Sequence, residues 1–240
     1  EGDIATLTRD SITVYAEGIE VHRKVNEIDA QQYNADKGEF KHYMLKEIYE
    51  QPDAVSRTLE MGIDSSAAQL RADFLQRYEH QLADIRHVQV IACGTSYHAG
   101  MVAKYWFESL IRLPCSVEVA SEFRYRNPVV VDNTLMICIS QSGETADTLS
   151  ALRDTQKRHP IGLVSLALCN VPTSSLVRET DIFLPTLAGP EIGVASTKAF
   201  SCQLAVLAAL AAHLAVVKGK MTRTEEQDVV KHLTEAPAAI

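Results

Sequence analysis

An uninterrupted run of strand length, Thr134-Leu135-Met136-Ile137-Cys138-Ile139, leads directly into Ser140-Gln141-Ser142-Gly143-Glu144-Thr145. A run without polar alternation suits a strand covered on both faces, as in a parallel sheet. Beyond the loop, Ala146, Leu149 and Leu152 recur three apart with Asp147, Arg153 and Asp154 between them, the pattern of an amphipathic helix. The hydroxyl-rich loop therefore sits where a parallel strand ends and a helix begins. There the first backbone N–H groups of the helix lack partners, and the helix dipole favours an anion. Gly143 permits a ligand to approach the backbone closely, while Ser140, Ser142 and Thr145 add hydroxyl donors. Two readings fit. One is a phosphate cradle; the other is ordinary capping, with Ser142 closing the helix and Glu144 or Thr145 in its first turn. No G-x-x-x-x-G-K-[ST] occurs, which argues against a nucleoside triphosphate.

The remaining composition narrows the class. A chain of 240 residues, 46% hydrophobic and 22% charged, suits one large α/β domain or one domain with extensions. The formal charge of −8, with no basic run, argues against nucleic acid as a partner. Local donors would have to overcome that field to hold an anion. The cysteines at 93, 115, 138, 169 and 202 are widely spaced, form no CxxC and join no His at metal spacing. They are read as reduced, buried thiols of a cytoplasmic protein, with no metal or cofactor expected. Glu1-Gly2-Asp3 lacks the marks of a signal peptide and an initiating Met, so a piece of a longer protein is expected.

Along the chain, residues 4–15 read as two short strands around a turn at Arg9-Asp10, with Ile4, Leu7, Ile12 and Val14 buried. The polar stretch 17–41 reads as a linker. A helix over 42–59 is interrupted near Pro52. A second runs from about Ser65 to Ala83, with Leu70, Phe74, Leu75, Tyr78 and Leu82 apolar. A β-rich run at 87–92 is followed by the small loop Cys93-Gly94-Thr95-Ser96 and a helix carrying Met101, Val102, Tyr105, Trp106 and Leu110. Further strands are predicted at 116–120, 134–139, 161–168 and 181–184.

A glycine-bearing loop, 189–198, opens a long helix in which only His213 is polar between Leu204 and Val217. That run of about 14 residues is too short for a bilayer and predicts a core helix or one covered by another subunit. A polar helix over 224–233 ends before Pro237. Alternating strands and helices predict a doubly wound parallel sheet with ligands at the carboxyl ends of its strands. Three hydroxyl loops, at 95–96, 140–145 and 196–197, follow or adjoin strand ends. Their convergence favours a sugar phosphate over capping alone.

The motifs Ala92-Cys93-Gly94-Thr95-Ser96-Tyr97-His98, Ser140 through Thr148, and Glu191-Ile192-Gly193-Val194-Ala195-Ser196-Thr197-Lys198-Ala199 are specific in combination. Together they resemble the glucosamine-6-phosphate synthase family (the isomerising glutamine–fructose-6-phosphate aminotransferases), and within it the first sugar-isomerase (SIS) domain. The resemblance extends over nearly the whole chain, including Lys46 to Pro52, Tyr105 to Ser109 and Glu122 to Arg126. It implies a flavodoxin-like three-layer sandwich. It also implies a division into the last strands of a glutaminase domain (1–20), a linker (21–41), a helical extension (42–83), the SIS domain (84–220) and the start of a connection to a second SIS domain (221–240).

By the same resemblance, Ser140, Gln141, Ser142 and Thr145 hold the phosphate, Thr95 and Ser96 contact the substrate, and Val194, Ala195 and Ser196 line the sugar. The implied ligands are hexose 6-phosphates (fructose, glucosamine or glucose 6-phosphate) and the implied assembly is a homodimer without membrane or nucleic acid. Family members make glucosamine 6-phosphate from fructose 6-phosphate and glutamine. The groups that carry isomerase proton transfer and the Schiff base lie in segments with no match here, so no catalytic residue is expected in this chain.

Other tempting residues have plainer readings. Lys198 is read as paired with an acid such as Glu191, Cys93 as a structural thiol, His98 as a surface or rim residue and Glu144 as an acid serving a helix dipole. A sugar-phosphate sensor, or another isomerase or deaminase of the same superfamily, remains an alternative.

Overall fold

The computed structural model describes residues 2–24, 36–64, 69–70, 75, 78–158 and 161–240. The chain forms two compact units, Glu1–Asn34 and Ala35–Ile240. In the first, β1 (Asp3–Leu7), β2 (Ile12–Ala16) and β3 (Ile19–Val21) make an antiparallel sheet in the order β1-β2-β3. The first turn falls at Arg9-Asp10 as expected, closed by Thr8 N–H to Ser11 O at 2.9 Å. The third strand lies inside the stretch read as linker. Glu17 and Gly18 take φ of 52° and 80°, the backbone a two-residue hairpin of matching twist requires. Ile4, Leu7 and Ile12, expected to be buried, are 70%, 71% and 69% exposed, and Val14 is half-buried. Among the described residues of this unit, the three short strands have no second layer to cover them. Linker residues 25–35 lie outside the described residues.

The second unit opens with α1 (Tyr43–Tyr49) and α2 (Gln51–Gly62). The expected break falls at Glu50, with Pro52 in the first turn of α2, where its missing N–H costs no helical bond. The helix expected over 65–83 lies partly outside the described residues, and those that are described are helical only at its end. Ile63 is already extended, and β4 (Ile63–Asp64) pairs antiparallel with β5 (Gln69–Leu70). Gly62 and β-branched Ile63 end the helix. Only α3 (Glu79–Asp84) is helical among the described residues of that stretch; Phe74 lies outside them. Leu75 and Leu82 are buried as expected, and the half-buried Tyr78 donates from its hydroxyl to Asp181 O at 2.7 Å.

Five parallel strands follow: β6 (His87–Ala92), β7 (Cys115–Val119), β8 (Thr134–Ser140), β9 (Val164–Cys169) and β10 (Ile182–Pro185). Their order is β10-β9-β8-β6-β7, and every neighbouring pair is parallel. The chain moves outward from β6 to β7, then returns past β6 to β8. The sheet therefore has its topological switch point between the carboxyl ends of β6 and β8, where a doubly wound fold binds ligands. The strand expected from Ile161 begins at Val164, because Gly162, with φ of 67°, turns the chain first.

Alternate strand residues serve opposite layers. Val88, Val90, Leu135, Ile137, Leu166 and Leu168 face one core with α4 (Gly94–Trp106) and α8 (Lys198–Val217). Ile91, Met136, Cys138 and Ala167 face the other, with α5 (Ala120–Tyr125), α6 (Ala146–Lys157) and α7 (Ser175–Glu179). The period of two, buried on both sides, is why the strands read as continuous apolar runs. Met101, Val102 and Tyr105, among the apolar residues that predict helix α4, are exposed. The face of α4 against the sheet uses small residues instead: a Cβ on Gly100 would come within 2.8 Å of a Val90 methyl.

Helix α8 is 20 residues long, extending the apolar run to a length that could cross a membrane by length and composition. It is buried instead in this fold. The sheet side packs Val206, Leu210 and Leu214, while Cys202, Ala205, Ala209 and Ala212 face α2 and Val230 of α9 (Arg223–Ala239). Cover expected in part from another subunit is thus supplied largely by the chain itself. Helix α9 opens on a reciprocal cap between Thr222 and Glu225. It continues through Pro237 rather than stopping before it, because a proline in the last turn forgoes one helical bond only.

Candidate functional site at the switch point

At the end of β8 the backbone turns sharply. The Ser140 hydroxyl accepts Gly143 N–H at 3.0 Å and lies 2.9 Å from the Thr145 hydroxyl. Ser142 Oγ accepts Glu144 N–H at 3.2 Å. Gly143 has φ of 66°, and a Cβ there would lie 2.1 Å from Ser174 Oγ and 2.7 Å from Cys169 Sγ. The loop is therefore seated directly on the β9–α7 connection, with Leu176 N–H donating to Gly143 O at 3.1 Å and Asn170 N–H to Gln141 O at 3.2 Å.

None of these hydroxyls caps α6. Thr145 is its N-cap residue in extended conformation and makes no side-chain cap bond. The first-turn N–H groups of Ala146, Asp147 and Thr148 consequently have no acceptor among the described residues, while Leu149 N–H closes the first helical bond to Thr145 O. Of the two readings of this loop, capping is not the one its geometry takes up. The acids in the stretch are engaged elsewhere. Glu144 accepts Ser175 N–H at 2.7 Å, which holds its carboxyl below the usual carboxylate range. The expected service to a helix dipole is thus rendered to α7, not α6. Asp147 pairs with Arg124 at 3.3 Å.

The Cys93–Ser96 loop leaves the neighbouring strand, since Ala92 pairs with Ile139. Cys93 is the extended N-cap of α4 and makes no side-chain cap bond. Tyr97 N–H is the first to bond back, to Cys93 O, which leaves the Gly94, Thr95 and Ser96 N–H groups open. Thr95 is exposed. Ser96 is buried, and its hydroxyl accepts from Gln203 Nε2 at 3.0 Å, so its side chain ties α4 to α8 and its backbone N–H is what remains for a ligand. That bond also brings the start of α8 beside the start of α4.

The 186–198 loop is the third wall. Asn170, at the end of β9, accepts Ala188 N–H at 3.0 Å and donates to Gly189 O at 2.8 Å. Glu191 Oε1 accepts Thr197 N–H at 2.8 Å and Ala199 N–H at 3.3 Å, capping α8. Between them Val194 and Ala195 are exposed and Ser196 is half-buried. Lys198 does pair with an acid, but the acid is Glu50 of α1's end, at 2.6 Å, rather than Glu191.

Two of the hydroxyl loops thus leave the carboxyl ends of the adjacent strands β8 and β6, while the segment carrying the third follows β10 and is tied to the end of β9 through Asn170 and to the start of α4 through Gln203. Cys93 is half-buried, while burial pushes the Cys115 and Cys138 thiols up to about 12. His98 is exposed, and all cysteines are free thiols. Sequence reasoning missed Glu47, Glu50, Asn170 and Gln203. Their only signals were two acids three apart on one helix, an Asn at a strand end and a Gln inside an apolar helix.

A doubly wound parallel sheet with an open, hydroxyl-lined helix N-terminus at its switch point defines an α/β domain with the kind of strand-end cradle at which such sheets bind ligands. The SIS domain family model matches residues 81–213, and the chain belongs to that family. Over 240 residues it is 60% identical to the isomerising glutamine–fructose-6-phosphate aminotransferase of Acinetobacter baylyi, covering 99% of this chain and 39% of that protein. The enzyme of the same name from Zymomonas mobilis is 52% identical over 241 residues, again with 39% of its length covered. The chain therefore spans well under half the length of these relatives. The solved C-terminal domain of the Francisella tularensis glucosamine-fructose-6-phosphate aminotransferase superposes with a TM-score of 0.80 at 50% identity, covering 85% of this chain and 56% of that one.

Proposed function

We propose that this chain is the sugar-phosphate-binding part of an isomerising glutamine–fructose-6-phosphate aminotransferase, and that it holds fructose 6-phosphate at the switch point. The observation that carries the reading is the open first turn of α6 beside the Ser140, Ser142 and Thr145 hydroxyls. A phosphate seated there would receive the Ala146–Thr148 N–H groups and the hydroxyls of Ser142 and Thr145, with the Gln141 side chain at the rim. The backbone of Thr95 and Ser96 would meet the substrate from β6. Val194, Ala195 and Ser196 would line the sugar from the third wall.

In this reading the residues present bind and orient. None of them is assigned a proton-transfer or covalent role. Residues 84–220 are the SIS domain, extended by helices over 42–83; residues 1–20 are the last strands of a glutaminase domain, 21–41 a linker and 221–240 the lead into a second SIS domain. The protein is cytoplasmic, with no membrane or nucleic-acid partner, and forms a homodimer. The exposed apolar side chains of α4 (Met101, Val102, Tyr105) support a contact of that kind.

Titration calorimetry with glucose 6-phosphate and glucose tests the reading. Hydrogen bonds to a charged acceptor contribute about 1.5–3 kcal/mol each, so the phosphorylated sugar should bind about 100-fold or more tightly. Equal affinity for the two sugars would refute it.

A further inference from the structure

Val194, Ala195 and Ser196 sit on a loop with no secondary structure of its own, so something else must set their height above the sheet. Glu47 is the one side chain of α1 that is buried, at 3% exposure, although the helix around it is mostly exposed. Its Oε1 accepts Ile192 N–H at 2.6 Å and Gly193 N–H at 3.0 Å. Gly193 lies so close that a Cβ would be 2.5 Å from Glu47 Oε2 and 3.4 Å from Met44 Cα. Directly after this contact, Val194 is fully exposed. The next anchors are the Glu191 cap at Thr197 and the Lys198–Glu50 pair at 2.6 Å. The three sugar-lining positions therefore span a short bridge between two anchors, and α1 and its C-cap Glu50 supply a carboxylate to each.

We propose that Glu47 is a positioning residue for sugar recognition, holding the 192–193 backbone so that Val194–Ser196 face the sugar while the phosphate cradle works independently. The inference rests on the functional reading above. Its chemistry is that of a carboxylate receiving two adjacent N–H groups, an acceptor that a neutral or shorter side chain reproduces poorly. The bonds that shape the cradle come from Ser140, Ser142, Asn170 and Leu176, and the hydrogen bonds of Glu47 run to Ile192 and Gly193 instead. Loss of Glu47 should therefore separate the two halves of the ligand.

The test compares fructose 6-phosphate with inorganic phosphate on the full chain by calorimetry. Glu47→Ala should lower the affinity ratio of the sugar phosphate over phosphate about 10-fold, the loss expected from one to two such bonds. Glu47→Gln, which keeps one acceptor oxygen, should recover part of it. Gly193→Ala, whose added Cβ would press on Glu47 Oε2 and push the loop off α1 while the carboxylate itself is retained, should reproduce the effect. Hydrogen exchange at Ile192 and Gly193 should accelerate in Glu47→Ala. An unchanged ratio in folded Glu47→Ala and Gly193→Ala overturns the inference alone, as does an equal loss for both ligands. If the unsubstituted chain binds neither ligand, the functional reading fails and this inference falls with it.

Discussion

Replacing Gly143 by alanine should break the cradle while leaving every hydroxyl in place. The backbone there has φ of 66°, which costs an L side chain about 1–2 kcal/mol. The new methyl would also lie 2.1 Å from Ser174 Oγ, 2.5 Å from Ser174 Cβ and 2.7 Å from Cys169 Sγ. Ser174 and Cys169 are both buried, so neither can swing into solvent. Overpacking of this kind costs about 1–3 kcal/mol, which gives a total of about 2–5 kcal/mol if the backbone stays where it is.

If the loop moves instead, the Gly143 N–H to Ser140 and Leu176 N–H to Gly143 bonds break, and the donors no longer converge. Urea denaturation reads the first outcome and glucose 6-phosphate titration the second. Adding Ser174→Gly removes two of the three close contacts, so the double variant should regain much of the overpacking loss but not the backbone loss. A Gly143→Ala chain within about 0.5 kcal/mol of the parent in stability, with unchanged affinity, would refute the argument.

Ser140→Ala should cost about 1–3 kcal/mol in a urea melt, because Gly143 N–H is left buried without its acceptor. An unchanged midpoint would show that the hydroxyl does not hold the turn. Burial lowers the pKa of both His87 and His213 from the ordinary 6.5. The unfolded chain therefore takes up these protons first as pH falls below 6.5, and stability is lost between that value and the folded values. Urea midpoints at successive pH values should fall across that window, less steeply in His213→Asn; an identical slope would contradict the burial argument. Lys198→Met removes a 5% exposed ammonium from Glu50, which is 32% exposed and can rehydrate, so the loss should be about 1–3 kcal/mol rather than the larger value of a fully buried pair. Thermal unfolding reads it, and an unchanged midpoint would mean that the pair contributes nothing.

The sheet was legible because strands buried on both faces leave continuous apolar runs, and hydroxyl loops mark their ends. The cradle was legible for the same reason: Ser140, Ser142, Gly143 and Thr145 are contiguous. What escaped was long-range. Glu47 meets Ile192 across more than a hundred residues, and nothing local distinguishes it from a solvent-facing acid on an amphipathic helix. Met101 and Tyr105 mark α4 as a helix by their apolarity, but close packing at Gly100 selects the small residues of α4 for the sheet-facing side. Ile4, Leu7 and Ile12 are apolar residues on short strands, yet apolarity does not say what covers a face, and all three are exposed. At the start of the stretch read as a helix over 65–83, Gly62 and Ile63 end α2 and the described residues pair as β4 and β5, which an apolar period alone does not foretell.

Amide chemical-shift mapping of the isotopically labelled chain during titration with fructose 6-phosphate tests the central claim most directly. The largest shifts should fall on Ser142 to Thr148, whose first-turn N–H groups would receive the phosphate, with smaller ones at Thr95–Ser96 and Val194–Ser196. Inorganic phosphate should reproduce the first set alone. Saturable shifts centred away from the 140–148 segment, or none there at ligand concentrations that saturate binding, would contradict the account.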